Sequence, residues 1–238
     1  MKKKSGTKNK RSGKSKLKRI IIVILLIVLV FVGYVEIVNI NSKNMTYRQK
    51  VLKAIYPVFM LWSRIKGKNA SELASQKPPP VSFYTLKGTL NNGIPLDFST
   101  LKGKKVLLVN TASNCGYTNQ YHDLQKLFEE NREKLMVIGF PANDFKQQEK
   151  GSDEEIAKFC EVNFGVSFPL MQKSVVIRSP DQNNIFQWLT DSAKNGWNTK
   201  TPTWNFCKYL VNEEGILTNY FGSSISPLSK DVKKAINK

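Results

Sequence analysis

The chain carries three cysteines, Cys115, Cys160 and Cys207, and a single histidine, His122. A thiol is a nucleophile only as its thiolate, so the setting of each sulfur decides what it can do. Cys115 stands in VLLVNTASNCGYT, residues 106–118, after a continuous apolar run and before a segment with helical spacing. At a strand-to-helix turn the free N–H groups and positive dipole end of the helix lower a thiol pKa below its ordinary value of about 8.5. Ser113, Asn114 and Gly116 keep that turn polar, which favours an exposed sulfur. The other reading is a cysteine used as a small core hydrophobe, and placement alone leaves both open. One histidine excludes a His-based metal cluster, and any Ser-His-Asp or Cys-His device would have to use His122. That residue follows Tyr121 in an expected helix and reads as a surface or half-buried helix position. No C-x-x-C occurs, so neither a zinc ribbon nor a two-cysteine redox turn is expected.

The elements that must position Cys115 are legible from pattern. VSFYTL (81–86) and IPLDFS (94–99) flank Asn91-Asn92-Gly93 and predict a hairpin. KKVLLVNTA (104–112) and LMVIGF (135–140) are apolar runs of strand length, as expected of strands covered on both faces. Tyr121, Leu124, Leu127 and Phe128 have helical spacing that fades near Arg132. Ser152 with Glu155 predicts a capping box before a helix over 152–164, with Ile156, Phe159 and Cys160 on its apolar side. IFQWLTDSA (185–193) reads as one helix, FCKYLVN (206–212) and ILTNYF (216–221) as a hairpin, and PLSKDVKKAI (227–236) as a closing helix. This order predicts an α/β sandwich of the thioredoxin-like class, a mixed sheet with helices on both faces. No glycine-rich phosphate loop suggests a nucleotide site.

Three stretches in order, VNTASNCGYTNQY, GFPANDFKQQEKG and WNFCKYLV, closely resemble the glutathione peroxidase family, and the resemblance runs from about Val81 to the C-terminus. It implies a peroxidatic role for Cys115, whose sulfur would attack the O–O bond of a hydroperoxide and become a sulfenic acid. It also implies that Gln148, Trp204 and Asn205 complete a catalytic tetrad with Cys115. Their chemistry fits, because indole N–H and carboxamide NH₂ donors favour thiolate over thiol and can steady charge on the departing oxygen. KFCEVNFGVSFP (158–169) resembles the segment bearing the resolving cysteine of thioredoxin-dependent members, which makes Cys160 the expected resolving residue. On pattern alone Cys160 reads as core, and being both would require local unwinding of its helix. Cys207 alternates with Tyr209 and Val211 and reads as a buried spectator. Where family members often have a Cys-Asn-Gln-Phe-Gly stretch, this chain has Ala142-Asn143-Asp144-Phe145-Lys146, and Asp144 would oppose a thiolate if it pointed inward. The resemblance implies a hydroperoxide substrate, a thioredoxin-like protein or glutathione as reductant, and no cofactor. Tetrameric members of that family have a longer insertion than the connection from Ile177 to Trp204 here, so the resemblance also implies a monomer apart from the anchor. A thiol-disulfide exchange protein or a peroxide-sensing redox relay on the same fold is the alternative.

The formal charge of +19 is uneven. Residues 1–19 carry eight Lys and two Arg without an acid, residues 42–80 supply +7, and residues 81–238 only +3. A basic run before an apolar one is the layout of a signal or signal anchor rather than of a nucleic-acid-binding arm. With no small-x-small cleavage site following, residues 20–40 are expected to be an uncleaved transmembrane anchor. Positive-inside bias then puts residues 1–19 in the cytoplasm and the catalytic domain, 81–238, on the far side. Residues 41–80 form a basic amphipathic segment and a Pro-rich linker. For 45–66 two readings stay open: a helix on an anionic membrane surface, kinked at Pro57, or a helix packed on the main domain.

Overall fold

The computed structural model describes residues 8–65, 70–72 and 78–238. The chain divides into two compact units, Met1–Asn41 and Ser42–Lys238. The first contains α1 (Lys8–Val38). Within it Lys16–Val38 is long and apolar enough to cross a membrane. Its 23 residues span about 34 Å of helix against a hydrocarbon core of about 30 Å. Large apolar side chains from Leu17 to Val32 are exposed, unlike those of a core helix, whereas a signal sequence and an anchor both fit.

The second unit opens with α2 (Tyr47–Ile65), which runs on through Pro57. Its start is fixed by a Thr-x-x-Gln capping box: Gln49 N donates to Thr46 Oγ1 at 3.3 Å, and Thr46 N donates to Gln49 Oε1 at 2.7 Å. β1 (Ala70–Glu72) follows, inside the stretch expected to be linker, and pairs antiparallel with β7 (Leu217–Phe221). The first hairpin comes later than expected, as β2 (Lys87–Thr89) and β3 (Pro95–Asp97). Residues 81–86 are not a strand, because Ser82 accepts from Tyr84 N and caps a short 3₁₀ turn over Phe83–Thr85. Gly93, with φ 84°, makes the tight turn of that hairpin.

The main sheet comprises β1, β7, β6 (Lys208–Val211), β4 (Lys105–Thr111) and β5 (Leu135–Pro141) in that order. The β4–β5 pair is parallel and the others are antiparallel, which gives the mixed sheet expected. β4 is buried along its whole length and its side chains alternate between two cores. Leu107 and Val109 face one core with α3 (Gln120–Glu130), α4 (Asp153–Phe164) and α7 (Lys230–Asn237). Val106 and Leu108 face the other, with Phe83, Phe98 and α5 (Asn184–Thr190). The single helix expected over 185–193 is two, α5 and α6 (Ser192–Asn195), because Asp191 leaves helical geometry and caps Ala193 N at 3.0 Å. Both halves of the predicted capping box at Ser152 and Glu155 are present.

Candidate active site

Cys115 follows the end of β4 on a run of tight turns that reaches α3 only at Gln120. Thr118 knits the turn: its Oγ1 accepts from Cys115 N at 2.9 Å and donates to Ala112 O at 2.8 Å. The sulfur accepts from Tyr117 N at 3.4 Å. Two other loops meet it. Asn114 N donates to Gln148 O at 3.0 Å, and Asn205 Nδ2 donates to Gln148 Oε1 at 3.0 Å. The Trp204 and Asn205 side chains lie near enough to Cys115 that each favours its ionised form. Residues far apart in the chain, Cys115, Gln148, Trp204 and Asn205, therefore converge on one point.

The loops that bring them there are held in uncommon backbone geometry. Lys146 and Gln147, just before Gln148, have φ of 53° and 50°, and Phe206, just after Asn205, has φ 65°. Non-glycine residues rarely occupy this left-handed region, and such positions cluster at functional sites. Asn110, buried near the end of β4, fixes the second of these loops. Its Nδ2 donates to Trp204 O at 3.0 Å and its Oδ1 accepts from Cys207 N at 2.9 Å. Its carbonyl accepts from Phe206 N at 2.6 Å. Sequence reading missed this residue. A polar Asn inside the apolar run of β4 was the signal that something had to be bound there.

Cys115 is only 1% exposed, which corrects the expectation of an exposed sulfur. The polar turn is covered by α2. Gln49, already half of the α2 capping box, uses its Nε2 to donate to Ser113 O at 3.0 Å. Phe59 lies against Tyr117 with ring centroids 4.8 Å apart. Met45, Gln49, Leu52 and Lys53 close over the sulfur, leaving a void of about 10 Å³. Of the two readings open for residues 45–66, packing on the main domain is the one observed. Burial also reverses the expected pKa shift. Desolvation raises the Cys115 thiol above its ordinary value and outweighs the Tyr117 N–H, the Trp204 and Asn205 side chains and the Gly116 N–H. Two clefts flank the covered sulfur. One, of about 460 Å³, lies between Phe59, Tyr117 and Trp204. The other, of about 370 Å³, lies between the start of α2, Ser113, Glu149 and α4.

Cys160 is fully buried in the same core as Cys115, and burial raises its thiol pKa strongly. It stands in the last turn of α4, where its carbonyl accepts from the N–H of Gly165, a left-handed cap at φ 63°. Cys207 is buried beside Ser223 Oγ at 3.4 Å and receives Tyr220 OH at 3.4 Å, on the opposite core. His122 is exposed. Asp144 does not face the sulfur; its Oδ2 accepts from Val176 N at 2.8 Å. Lys146 lies over the Trp204 ring, 5.7 Å from its centroid. Glu149 is 1% exposed with Oε2 unpaired, and burial raises its carboxyl to about 7 against the pull of Ser113.

Residues 83–190 match the family model described as glutathione peroxidase. The glutathione peroxidase-like peroxiredoxin gpx1 of Schizosaccharomyces pombe is 40% identical over 157 residues, which cover 65% of this chain and 98% of that one. The glutathione peroxidase homolog BsaA of Bacillus subtilis is 35% identical over 159 residues, 66% of this chain and 99% of that one. Among solved structures, T. cruzi GPX1 superposes with a TM-score of 0.50 at 26% identity, covering 66% of this chain and 94% of that one. A DsbF homologue from Corynebacterium diphtheriae shares the fold alone, at 16% identity and a TM-score of 0.50, over 72% of this chain and 93% of that one. Sequence identity over nearly the whole length of these relatives, together with the fold, leads to one conclusion: the chain belongs to the glutathione peroxidase family.

Proposed function

We propose that this chain is a thiol peroxidase in which Cys115 is the peroxidatic residue. The observation that carries this reading is the meeting of three loops at Cys115: Asn114 N donates to Gln148 O, Gln148 Oε1 holds Asn205, and the neighbouring Trp204 and Asn205 side chains favour the thiolate. In the reaction the Cys115 thiolate attacks one peroxide oxygen and the O–O bond breaks. The sulfur keeps that oxygen as a sulfenic acid, and the second oxygen leaves as alkoxide or hydroxide and is protonated to alcohol or water. Indole and carboxamide donors stabilise the charge on both sulfur and leaving oxygen, so no histidine base is needed. Cys160 then attacks the sulfenic sulfur, water leaves, and a Cys115–Cys160 disulfide remains. A dithiol protein of the thioredoxin type reduces that disulfide by exchange, whereas glutathione would act on the sulfenic acid directly. The names of the S. pombe and B. subtilis relatives support the peroxidase chemistry, and the buried Cys160 in the core of Cys115 supports the resolving role.

Residues 20–40 are read as an uncleaved anchor, with residues 1–19 cytoplasmic and the domain 81–238 extracytoplasmic; the exposed apolar helix and the basic flank support this. The enzyme then works beside a bilayer, where lipid hydroperoxides join hydrogen peroxide as substrates, and it acts as a monomer. The test is hydrogen peroxide turnover by the full chain in detergent, with a thioredoxin system and glutathione compared side by side. Turnover is expected with thioredoxin and none in Cys115→Ser. Residual turnover in Cys115→Ser sinks the assignment.

A further inference from the structure

Glu149 is a buried acid that the peroxide step leaves unused. It follows Gln148 in the loop after β5, where Asn143 Oδ1 accepts from its backbone N at 2.9 Å. The residue is 1% exposed and lines the cleft of about 370 Å³. That cleft joins the elements of two cysteines: Ser113 and Asn114 belong to the Cys115 turn, and Ile156, Phe159 and Asn163 to α4, which carries Cys160. In this region Thr111 Oγ1, Ser113 Oγ, Tyr121 OH and Glu149 Oε2 are buried without a hydrogen-bond partner among the described residues. Native folds pair nearly all such atoms, so a cluster of unpaired ones around an acid calls for a use other than stability.

Cys160 needs such a group. A thiol attacks a sulfenic sulfur only as its thiolate, and burial holds the Cys160 thiol protonated at neutral pH. The single histidine, His122, is exposed. Tyr121 favours the Cys160 thiolate, whereas a charge on Glu149 opposes it. Glu149 and Cys160 thus hold one negative charge between them rather than two. A proton passed from the sulfur to the carboxylate moves that charge without adding another.

We propose that Glu149 is the proton carrier of the resolving step, taking the Cys160 proton and returning it to the departing oxygen. The proposal rests on the peroxidase reading above. As the end of α4 opens, the Cys160 S–H proton passes to the Glu149 carboxylate and the thiolate attacks the Cys115 sulfenic sulfur. The S–S bond forms and the S–O bond breaks. The leaving hydroxide takes the proton from Glu149 and departs as water, so the carboxylate ends ionised as it began and no net proton is gained or lost. A carboxyl held at about 7 is matched to both halves of this cycle near neutral pH. Burial raises it, Ser113 and the charge of Lys173 pull it down, and Lys150, Glu155 and Lys158 line the same cleft. From α2 the cleft receives Thr46 and Gln49, neither of them charged.

The experiment is a single turnover of the full chain in detergent with hydrogen peroxide and no reductant. Acid quenching and mass spectrometry separate the Cys115 sulfenic acid from the Cys115–Cys160 disulfide. In wild type the rate of disulfide formation is expected to rise with pH to a plateau, with its midpoint near 7. Glu149→Gln is expected to slow that step about 10²-fold and to abolish the midpoint, and Glu149→Asp to restore both in part. Equal Tm of wild type and Glu149→Gln near pH 4.5 shows that the variant folds. If Glu149→Gln forms the disulfide at the wild-type rate, the proposal is overturned. A wild-type profile without a midpoint between about pH 6 and 8 overturns it as well, and that measurement needs no variant. If wild type accumulates the sulfenic acid and never the disulfide, the resolving role of Cys160 falls and this proposal with it. If no sulfenic acid forms either, the peroxidase reading itself is lost.

Discussion

Asn205 has two tasks for one amide: fully buried, it donates to Gln148 and favours the Cys115 thiolate, leaving its own Oδ1 unpaired. Removing one preorganised donor of this kind costs on the order of 10²–10³ in rate. Asn205→Ala is therefore expected to cut the second-order rate of Cys115 with hydrogen peroxide by about that factor while folding normally. Combining it with Gln148→Ala should add little, since the two share one hydrogen bond, and stopped-flow peroxide consumption checks both. Glu149 makes a prediction of opposite kind. Its carboxyl is held at about 7 in the fold against an ordinary 4.5. Between those values the native state keeps a proton that the unfolded chain has lost, so stability falls as pH rises through this window and the cost is complete above it. That cost is on the order of 3 kcal/mol. Glu149→Gln should thus unfold with wild type near pH 4.5 and at a clearly higher Tm near pH 8; a pH-independent difference would refute the assignment. Trp204, Gln148 and Asn205 were legible only through resemblance, because an isolated Trp, Gln or Asn has no pattern that distinguishes a site from a core or a loop.

At the scale of elements, the strands and helices were legible where apolar period and caps spoke together, as at β4, β5 and the Ser152–Glu155 box. They misled where a single polar side chain redirected the backbone. Ser82 turned an expected strand into a 3₁₀ turn, and Asp191 cut one helix into two. Asn110 is the same effect put to use, a polar residue in a central strand that binds the loop carrying Trp204 and Asn205. Asn110→Ala strands a buried carbonyl and N–H, at about 1–3 kcal/mol each. The expected result is a lower urea midpoint together with a peroxide rate as low as that of Asn205→Ala; a stable variant with full rate would contradict it. For α4 the geometry localises what must move. Cys160 lies near the C-terminal end of α4, whose Gly165 cap follows Phe164, so bringing its sulfur out is expected to unwind the end of the helix, residues 160–165. Peroxide treatment is expected to speed amide hydrogen exchange in that turn in wild type and not in Cys160→Ser. Equal exchange in both would count against the resolving role.

At the scale of the molecule, the largest departure from the sequence reading is the cover over Cys115. A turn built of Ser, Asn and Gly looks exposed when read locally, and the residues that bury it lie more than fifty positions earlier in a segment whose composition suited a membrane equally well. Local chemistry cannot reveal a partner brought from so far along the chain. The cover is held at both ends: Gln49 binds the Ser113 carbonyl near its start, and β1, just beyond its end, adds to the sheet on β7. Opening is then an intramolecular event. A helix tethered by short connections returns to its seat as though present at millimolar concentration, which no dissolved competitor readily matches. The cover is then expected to sort reactants by the gap they need: hydrogen peroxide a narrow one, and a lipid hydroperoxide, an alkylating agent or a protein dithiol a wide one. Gln49→Ala with Phe59→Ala should make the wide gap more frequent, and iodoacetamide labelling of Cys115 measured by mass spectrometry is expected to accelerate several-fold while labelling of Cys207 does not. The helix over the sulfur would then act as a filter on access, passing hydrogen peroxide through a narrower opening than its reductant needs.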